Sequence, residues 1–273
     1  LDVARVFATL AQERRMWLAG ADAVAVQEHT LLADGASLAL LTPRGRITWM
    51  CHPVVDSPAV FADLLGGEAA GHLSITPMAG GNPLSHRYEP DSMIATTRWA
   101  GVEVTDYLDC TGRSDGSHKG TRLIRAITAR VPVRVVFAPR PEFGQVPITI
   151  DIEDQGLMVM GAAEPMALRA PGITWQIVED GHHHTAIGTL MVDSQRVTPV
   201  DVVIELRTGS NDVEPHPMSE AARRSTTVDF WRSWVQRLHL PQSHRDDVVR
   251  SALTLKALCF DETGAILAAA TTS

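Results

Sequence analysis

Short runs of β-branched and other apolar residues, broken by turn-forming residues, fill the chain from about residue 30 to about residue 210. Such runs, bounded by Gly, Pro, Asn and Asp, are typical of β-strands. They predict strands at Ser37–Leu41, Ile47–Met50, His72–Thr76, Met93–Trp99, Val102–Leu108, Thr121–Ala129, Val133–Pro139, Ile148–Glu153, Leu157–Gly161, Thr174–Val178, His184–Met191 and Val202–Arg207. Because no helical pattern separates them, we predict an all-β antiparallel sandwich rather than a parallel α/β sheet.

Helical periodicity is found instead at the two ends of the chain. Val3, Val6, Phe7 and Leu10 follow the i, i+3, i+4, i+7 spacing of an amphipathic helix. We therefore divide the chain into an N-terminal helix, a sandwich and a helical linker, at residues 1–22, 23–212 and 213–273. The first segment is interpreted as a linker or as the tail of an upstream domain.

The first C-terminal helix carries one apolar stripe, formed by Trp231, Trp234, Val235 and Leu238 at positions 0, +3, +4 and +7. A tryptophan pair can serve as a platform for a sugar. At helical spacing, however, it more often packs a helix onto its domain, and we favour that structural interpretation.

A second C-terminal helix is predicted to start at Ser243, whose hydroxyl would cap the helix while Asp246 reaches back. Its apolar residues cover more than one stripe, so burial on several sides is expected. These residues are Val248, Val249, Ala252, Leu253, Leu255, Ala257 and Leu258. We expect Leu253 to lie on the face that a further domain would cover.

The composition narrows the choice of partners. The formal net charge of −8 would repel nucleic acid and anionic membranes, whereas a neutral sugar is compatible with it. No segment has the length and apolar character of a membrane span or the pattern of a signal peptide. Cys51, Cys110 and Cys259 are widely spaced among apolar neighbours, which predicts buried free thiols. We therefore expect a soluble, cytoplasmic chain.

Four blocks of sequence carry a resemblance to a known family. They combine a strand ending in Trp49-Met50-Cys51 before Asp-Ser-Pro, an Arg-Tyr-Glu-Pro stretch, Val-Pro-Val with Pro-Arg-Pro-Glu-Phe-Gly, and an apolar helix leading to Thr-Thr-Ser. In order, the blocks are Leu31–Phe61, Arg87–Tyr107, Thr121–Gly144 and Arg250–Ser273. Together they resemble bacterial enzymes of glycoside hydrolase family 15, the glucoamylases, glucodextranases and trehalases. The chain departs from that family at Glu28, at His52 and at Ala270, where an Asp, an apolar or basic residue and a Pro are usual.

The resemblance implies an N-terminal β-supersandwich, of the type also seen in galactose mutarotase, packed on an (α/α)6 catalytic barrel. Family enzymes invert the anomeric carbon with two carboxyl groups, one protonating the leaving oxygen and one activating water. Those glutamates belong to the barrel, which would follow Ser273. We therefore expect no catalytic residue, metal or cofactor in this chain; its partners would be the barrel of the same polypeptide and an α-glucoside ligand.

Two functional hypotheses follow from this resemblance. The first is a non-catalytic domain that braces the barrel of a trehalase-like or glucoamylase-like hydrolase. The alternative is an independent carbohydrate-binding module fused to another sugar-metabolism enzyme, such as a trehalose-phosphate phosphatase.

Trp49 and Asp56 are the candidate substrate-binding residues. An Asp-Ser-Pro turn after a tryptophan could line a sugar site through ring stacking and bidentate hydrogen bonding. The competing interpretation, which we favour, makes Trp49 a core residue and Asp56 the cap of a short helix containing Phe61, Leu64 and Leu65.

Two histidine patterns are weaker candidates. The run His182-His183-His184 could hold zinc, copper or nickel, but alternate residues of a strand face opposite ways, so a solvated hairpin turn is favoured. Mutarotase-like chemistry would need a histidine acid and a glutamate base to meet on one face. The residue types for it are present at His118, His184, Glu142 and Glu205.

Overall fold

The computed structural model describes residues 24–113, 120–193, 195–260 and 263–271. The predicted N-terminal helix, His118 and the final Thr272-Ser273 lie outside these residues. The described strands are β1 Thr30–Ala33, β2 Leu38–Leu41, β3 Arg46–Cys51, β4 Ala59–Phe61, β5 His72–Pro77, β6 Ser85–Tyr88, β7 Ala95–Trp99, β8 Val102–Leu108, β9 Thr121–Ala129, β10 Val133–Ala138, β11 Thr149–Glu153, β12 Gly156–Met160, β13 Met166–Arg169, β14 Thr174–Asp180, β15 His183–Leu190 and β16 Val200–Thr208. The described α-helices are α1 Asp63–Gly66, α2 Glu220–Val235 and α3 Arg245–Ala257.

The strands form two eight-stranded sheets. The first sheet has the order β1-β2-β3-β5-β10-β15-β14, with β4 paired to β3, and the second has the order β11-β12-β13-β16-β9-β8-β7-β6. The pairs within both sheets are antiparallel, as in the ladder that aligns Val102 of β8 with Ala129 of β9. The predicted all-β antiparallel sandwich is therefore confirmed.

Each predicted strand coincides with an observed one. The strands that the pattern missed are β1, β4, β6 and β13, which are only three or four residues long. The four residues of β1 are all buried, so this strand shows no polar and apolar alternation. Such short segments carry too few residues for a period of two to be recognised.

The inner core lies between the two sheets and contains a fully buried ion pair. Arg125 of β9 donates to Asp106 of β8 at 2.6 Å, and both side chains are 0% exposed. The same guanidinium donates to the carbonyls of Leu73 and Gly45 in the opposite sheet, each at 2.8 Å. Arg125 thus ties the second sheet to the first through the middle of the sandwich.

An outer core lies on the far side of the first sheet. A β-bulge in β3 places Trp49 opposite Leu40 and Ile47 opposite Leu41, so that Thr48 is the extra residue. Ile47 faces the inner core, whereas Trp49 packs in the outer core. Helices α2 and α3 cover this outer face with Trp231, Val235, Val249, Leu253 and Ala257.

Helix α2 is held to the second sheet by a buried charge cluster. Arg223 donates to Asp109 at 2.8 Å and to Glu205 of β16 at 2.8 Å. Arg207 donates to Glu205 at 3.0 Å. Burial raises the pKa of Glu205, but the hydrogen bonds from Arg223 and Arg207 more than offset that and lower it to about 2. The helix begins with Ser219, whose hydroxyl accepts the backbone N–H of Ala222.

The start and the faces of α3 differ from the sequence prediction. His244, in a left-handed conformation at φ 54°, is the N-cap and makes no side-chain capping bond, so the predicted Ser243 cap is wrong. Leu253 is fully buried against the sandwich and not on the outward face. The outward face carries Val248 and Leu255, which are 36% and 58% exposed. The buried face of the helix differs from the expected one because the sandwich, not a further domain, covers the side that carries Val249, Leu253 and Ala257.

The two predicted C-terminal helices are therefore present, and both pack on the sandwich. The boundaries at residues 22 and 212, and the barrel expected after residue 273, stay predictions. No helix in the described part of the chain has the length and apolar character that crossing a bilayer requires.

Candidate functional site

The two residues expected to bind substrate differ in exposure. Trp49 is 0% exposed and packs in the outer core, with its ring centroid 6.1 Å from that of Phe143. Asp56 is exposed in the turn between β3 and β4. A sugar-binding role for Trp49 and Asp56 stays a prediction.

The short helix expected after Asp56 starts later than the sequence suggested. Phe61 is the last residue of β4, and α1 begins at Asp63 with Ala62 as its N-cap. The interpretation of Asp56 as a cap is therefore wrong. The side chain of Phe61 faces the inner core, and its ring packs edge-on against that of Phe137 in β10.

The histidine run lies at the β14–β15 hairpin. His182 is in the turn, and the ring of His184 accepts the backbone N–H of Ile150 through Nδ1 at 3.0 Å. Among the residues that the structure describes, no group of three or more His, Cys, Asp or Glu side chains is arranged to hold a metal ion.

Two of the residues considered for mutarotase-like chemistry, His184 and Glu205, already have hydrogen-bond partners within the described part of the protein. Glu205 is buried against Arg207 and Arg223 on the second sheet. Glu142 lies in the segment that follows β10. The tryptophans of α2 are structural in this fold, since Trp231 is fully buried and Trp234 packs at the edge of the outer core.

A concave site does exist beside the β3–β4 turn, and we call it the His52 cavity. Its volume is about 180 Å³. His52, Glu142 and Glu164 are among its lining residues, although both ring nitrogens of His52 are buried away from it, and its apolar wall includes Pro53, Pro58 and Pro141. Pockets with apolar walls and a few convergent polar groups are the usual form of small-molecule sites.

His52 is the buried polar group of this cavity. Its side chain is 7% exposed, and neither ring nitrogen has a hydrogen-bond partner in the described part of the protein. Burial lowers the pKa of His52 to about 4. The imidazole is therefore neutral at pH 7, with one nitrogen as donor and one as acceptor.

Pro141 and Glu142 line the cavity, and the backbone that follows them is unusual. Glu142 and Phe143 are consecutive non-glycine residues in the left-handed region, at φ 52° and φ 56°. Such conformations cost free energy and persist only where the surroundings fix them. Here the N–H of Gly144 donates to the carbonyls of Arg140 and Pro141.

Arg140 anchors that segment to the rest of the first sheet. Its side chain is 2% exposed and donates to Asp180, to the Thr185 hydroxyl and to the His184 carbonyl, at 3.0, 3.0 and 3.2 Å. Burial lowers the pKa of Arg140, while Asp180 opposes that change. Arg140 thus anchors the segment that carries Glu142 to strands β14 and β15.

Sequence patterns gave only a partial signal for this site. His52 stood out as a departure from the family, and Glu142 was considered for another chemistry. Glu164 is the one charged residue of the short loop between β12 and β13, and no sequence pattern marks it. The three residues come from distant parts of the chain, so only the folded sandwich brings them together.

Comparison with known proteins agrees with this architecture. The family model described as "Trehalase-like, N-terminal" matches residues 12–231. A protein named trehalase from Mycobacterium tuberculosis is 29% identical over 275 residues, which cover 91% of this chain and 39% of that protein. A trehalase from Mycolicibacterium smegmatis is 28% identical, with 91% and 40% covered. One from Thermoplasma volcanium is 21% identical, again with 91% and 40% covered.

The chain thus spans about two fifths of the length of these relatives. The family match covers all sixteen strands of the sandwich and extends into helix α2, and it agrees with the all-β fold described above. The chain belongs to the family of trehalase-like N-terminal domains.

Proposed function

We propose that this chain is the non-catalytic sandwich domain of a trehalose-hydrolysing enzyme and braces a catalytic (α/α)6 barrel in the same polypeptide. The observation that carries the proposal is the coverage of the relatives. Proteins named trehalase match 91% of this chain but only 39% or 40% of their own length. The remaining length is enough for a separate catalytic domain, where the two carboxyl groups of an inverting hydrolase would lie.

Helix α3 supplies a surface for that domain. Its inner stripe, Val249, Leu253 and Ala257, is buried on the sandwich. Its outward side presents Val248 and Leu255, and Ile266 beyond the helix is 64% exposed. Exposed apolar side chains grouped on one side of a helix are typical of a contact with another domain.

Glucose release from trehalose, maltose and isomaltose tests this proposal. The assay compares the 273-residue chain with a polypeptide extended through whatever follows residue 273 in its gene. We expect activity only in the extended polypeptide, with trehalose as the preferred substrate. Activity of the short chain would contradict the proposal, as would an extended polypeptide that cleaves none of the three sugars.

The bracing role is tested by Leu255→Asp in the extended polypeptide. A charge buried at the domain contact would loosen the two domains, so we expect a lower melting temperature and a lower kcat. In the isolated chain the same change should leave stability within about 0.5 kcal/mol, because Leu255 is already exposed there. The matched control is Ser225→Asp, at an exposed position of α2 rather than α3. Equal behaviour of the two variants would argue against a contact at Leu255.

The alternative of an independent carbohydrate-binding module predicts a different result. The short chain would bind an oligosaccharide by itself, and the segment after residue 273 would not cleave an α-glucoside. Titration calorimetry with the short chain and the assay above separate the two functions.

A further inference from the structure

We propose that a second concave site, which we call the arginine pocket, binds the phosphate group of a small molecule. Its volume is about 350 Å³, and sites for small molecules typically have roughly 300–1,000 Å³. The residues that define it are Arg44, Arg46, Ser74, Thr76, Gly81 and Arg134. The inference rests on the geometry of this pocket and not on the proposed role beside a catalytic barrel.

Strand alternation explains why these side chains meet on one side of the first sheet. Arg134 of β10 pairs with Thr76 of β5, and Ser74 of β5 pairs with Arg46 of β3. Both chain neighbours of Ser74 pack in the inner core, so Ser74 and Thr76 face the outer side. Paired residues of neighbouring strands lie on the same face. Two arginines therefore flank two hydroxyl groups on the outer side of the sheet.

The protein neutralises only part of the positive charge at this pocket. Arg46 donates to Asp63 at 3.2 Å and to Glu68 at 3.4 Å. Arg134 is exposed and has no ion-pair or hydrogen-bond partner among the described residues. With Arg44, three arginines and one glutamate belong to the described lining. A positive concavity in a chain with a net charge of −8 favours a small anion at this place.

Uncharged donors lie beside the arginines. Ser74 is 8% exposed, and its hydroxyl has no hydrogen-bond partner in the described part of the protein. Its Oγ keeps accessible surface, in contrast to the ring nitrogens of His52. Buried polar groups in proteins are almost always hydrogen-bonded, so Ser74 needs a partner from outside the described chain.

Gly81 leaves the rim of the pocket open. It lies in the left-handed region at φ 109°, and a Cβ atom added there would meet nothing within 4 Å. Its backbone N–H has no partner among the residues that the structure describes. The loop after β5 thus offers a backbone donor that a ligand can approach closely.

The excess of donors identifies the class of ligand. Guanidinium and backbone N–H groups only donate hydrogen bonds, and the two hydroxyls can donate as well. A phosphate monoester carries about −1.5 to −2 charges at pH 7 and three acceptor oxygens in a tetrahedral arrangement, so it can accept from several strands at once. A carboxylate offers two oxygens in one plane. A nucleic acid is disfavoured because the net charge of −8 repels a long polyanion.

The test is isothermal titration calorimetry of the 273-residue chain with inorganic phosphate and with glycerol 1-phosphate. Sodium chloride keeps the ionic strength equal in all titrations. We expect saturable binding of at least one of the two anions. Tighter binding of glycerol 1-phosphate would support a phosphate monoester as the ligand, and tighter binding of inorganic phosphate would support the free ion.

Three variants locate the site. Arg134→Gln removes a charge from an exposed position and should weaken binding about tenfold or more. Ser74→Ala removes the unpartnered hydroxyl and should weaken binding about fivefold. Arg237→Gln, at an exposed position after α2, is the matched control and should leave binding unchanged.

Several results would overturn this proposal. These are the absence of saturable binding with both anions, equal weakening by Arg134→Gln and Arg237→Gln, or binding that neither Arg134→Gln nor Ser74→Ala reduces. Anion binding is measured without a glycoside, whereas the proposed enzymatic role is measured by glucose release in the extended polypeptide. Either proposal can therefore fail without the other.

Discussion

Burial decides the chemistry of individual side chains in this domain. His52 and His72 are 7% and 2% exposed, and desolvation by burial lowers their pKa values to about 4 and about 3. For His72, the positive charges of Arg46 and Arg140 lower the pKa further, whereas Glu68 opposes them. Both imidazole rings are therefore neutral in the folded chain at pH 7.

A pH dependence of stability follows from these two histidines. The unfolded chain binds a proton on each near pH 6.5, but the folded chain does so only near pH 4 and pH 3. Between those values the unfolded state holds more protons, so the free energy of unfolding falls as the pH is lowered from 6.5. Each histidine contributes up to about 1.4 kcal/mol per pH unit.

We expect His72→Leu to flatten this dependence, measured by urea unfolding between pH 6.5 and pH 4. His182→Gln, at an exposed turn position, should retain the full slope. A slope that His72→Leu leaves unchanged would show that His72 is protonated in the folded chain or that another group controls this range.

At the scale of elements, two local features determine how the helices attach to the sandwich. The bulge at Thr48 turns Trp49 to the outer face of β3, which creates the surface that α2 and α3 cover. The charge cluster at Arg223 fixes α2 on the second sheet, because one guanidinium is shared by Asp109 and Glu205. Helix α2 is therefore held on the sandwich both by hydrophobic packing in the outer core and by the ion pairs of Arg223.

Replacing Arg223 by Met should be strongly destabilising. The change removes the ion pairs that Arg223 makes with the buried carboxylates of Asp109 and Glu205. Leaving a buried charge without its partner typically costs about 3–5 kcal/mol. The neighbouring Arg224 is 40% exposed and forms only a surface pair with Glu220, so Arg224→Ala should cost less than about 0.5 kcal/mol. Urea unfolding of both variants measures the difference. Similar losses in the two would mean that helix propensity, and not the cluster, controls the docking of α2.

At the scale of the whole molecule, residues from both ends of the chain share one outer core. Leu31 and Cys51 from the first strands pack in the same cluster as Leu253 and Ala257 from the last helix. The integrity of this core can be followed through the cysteines. Cys51 and Cys110 are buried free thiols, as predicted, whereas Cys259 is half-buried near the end of α3.

Thiol labelling with a disulfide reagent at pH 8 should therefore occur in two phases. Burial raises the pKa of Cys51 to about 11, which lowers its thiolate fraction about 100-fold, and burial also raises the pKa of Cys110. We expect one fast thiol, Cys259, and two that react only after unfolding. Cys259→Ser should abolish the fast phase. Fast reaction of all three thiols in buffer would mean that α2 and α3 do not stay docked on the sandwich.

The strands illustrate how much of the fold could be predicted. β8 and β9 were predicted with their observed bounds, because each is a long run rich in β-branched and other apolar residues. β4 and β13 were missed, since each is too short to show a period and is a strand only because a neighbour pairs with it. The same reason explains Leu253 and Leu255: the helix was predicted, but its buried side depends on what packs against it.

The sequence by itself determined the class of the fold, the two C-terminal helices and the family, because periodicity, turn residues and motif order are local properties of the chain. Tertiary structure alone decided which apolar residues form the inner or the outer core, and that Arg223 clamps α2. It also decided that His52, Glu142 and Glu164 line one cavity. These outcomes depend on contacts between residues far apart in the chain. Such contacts contribute to stability only after the sheets and helices have packed together.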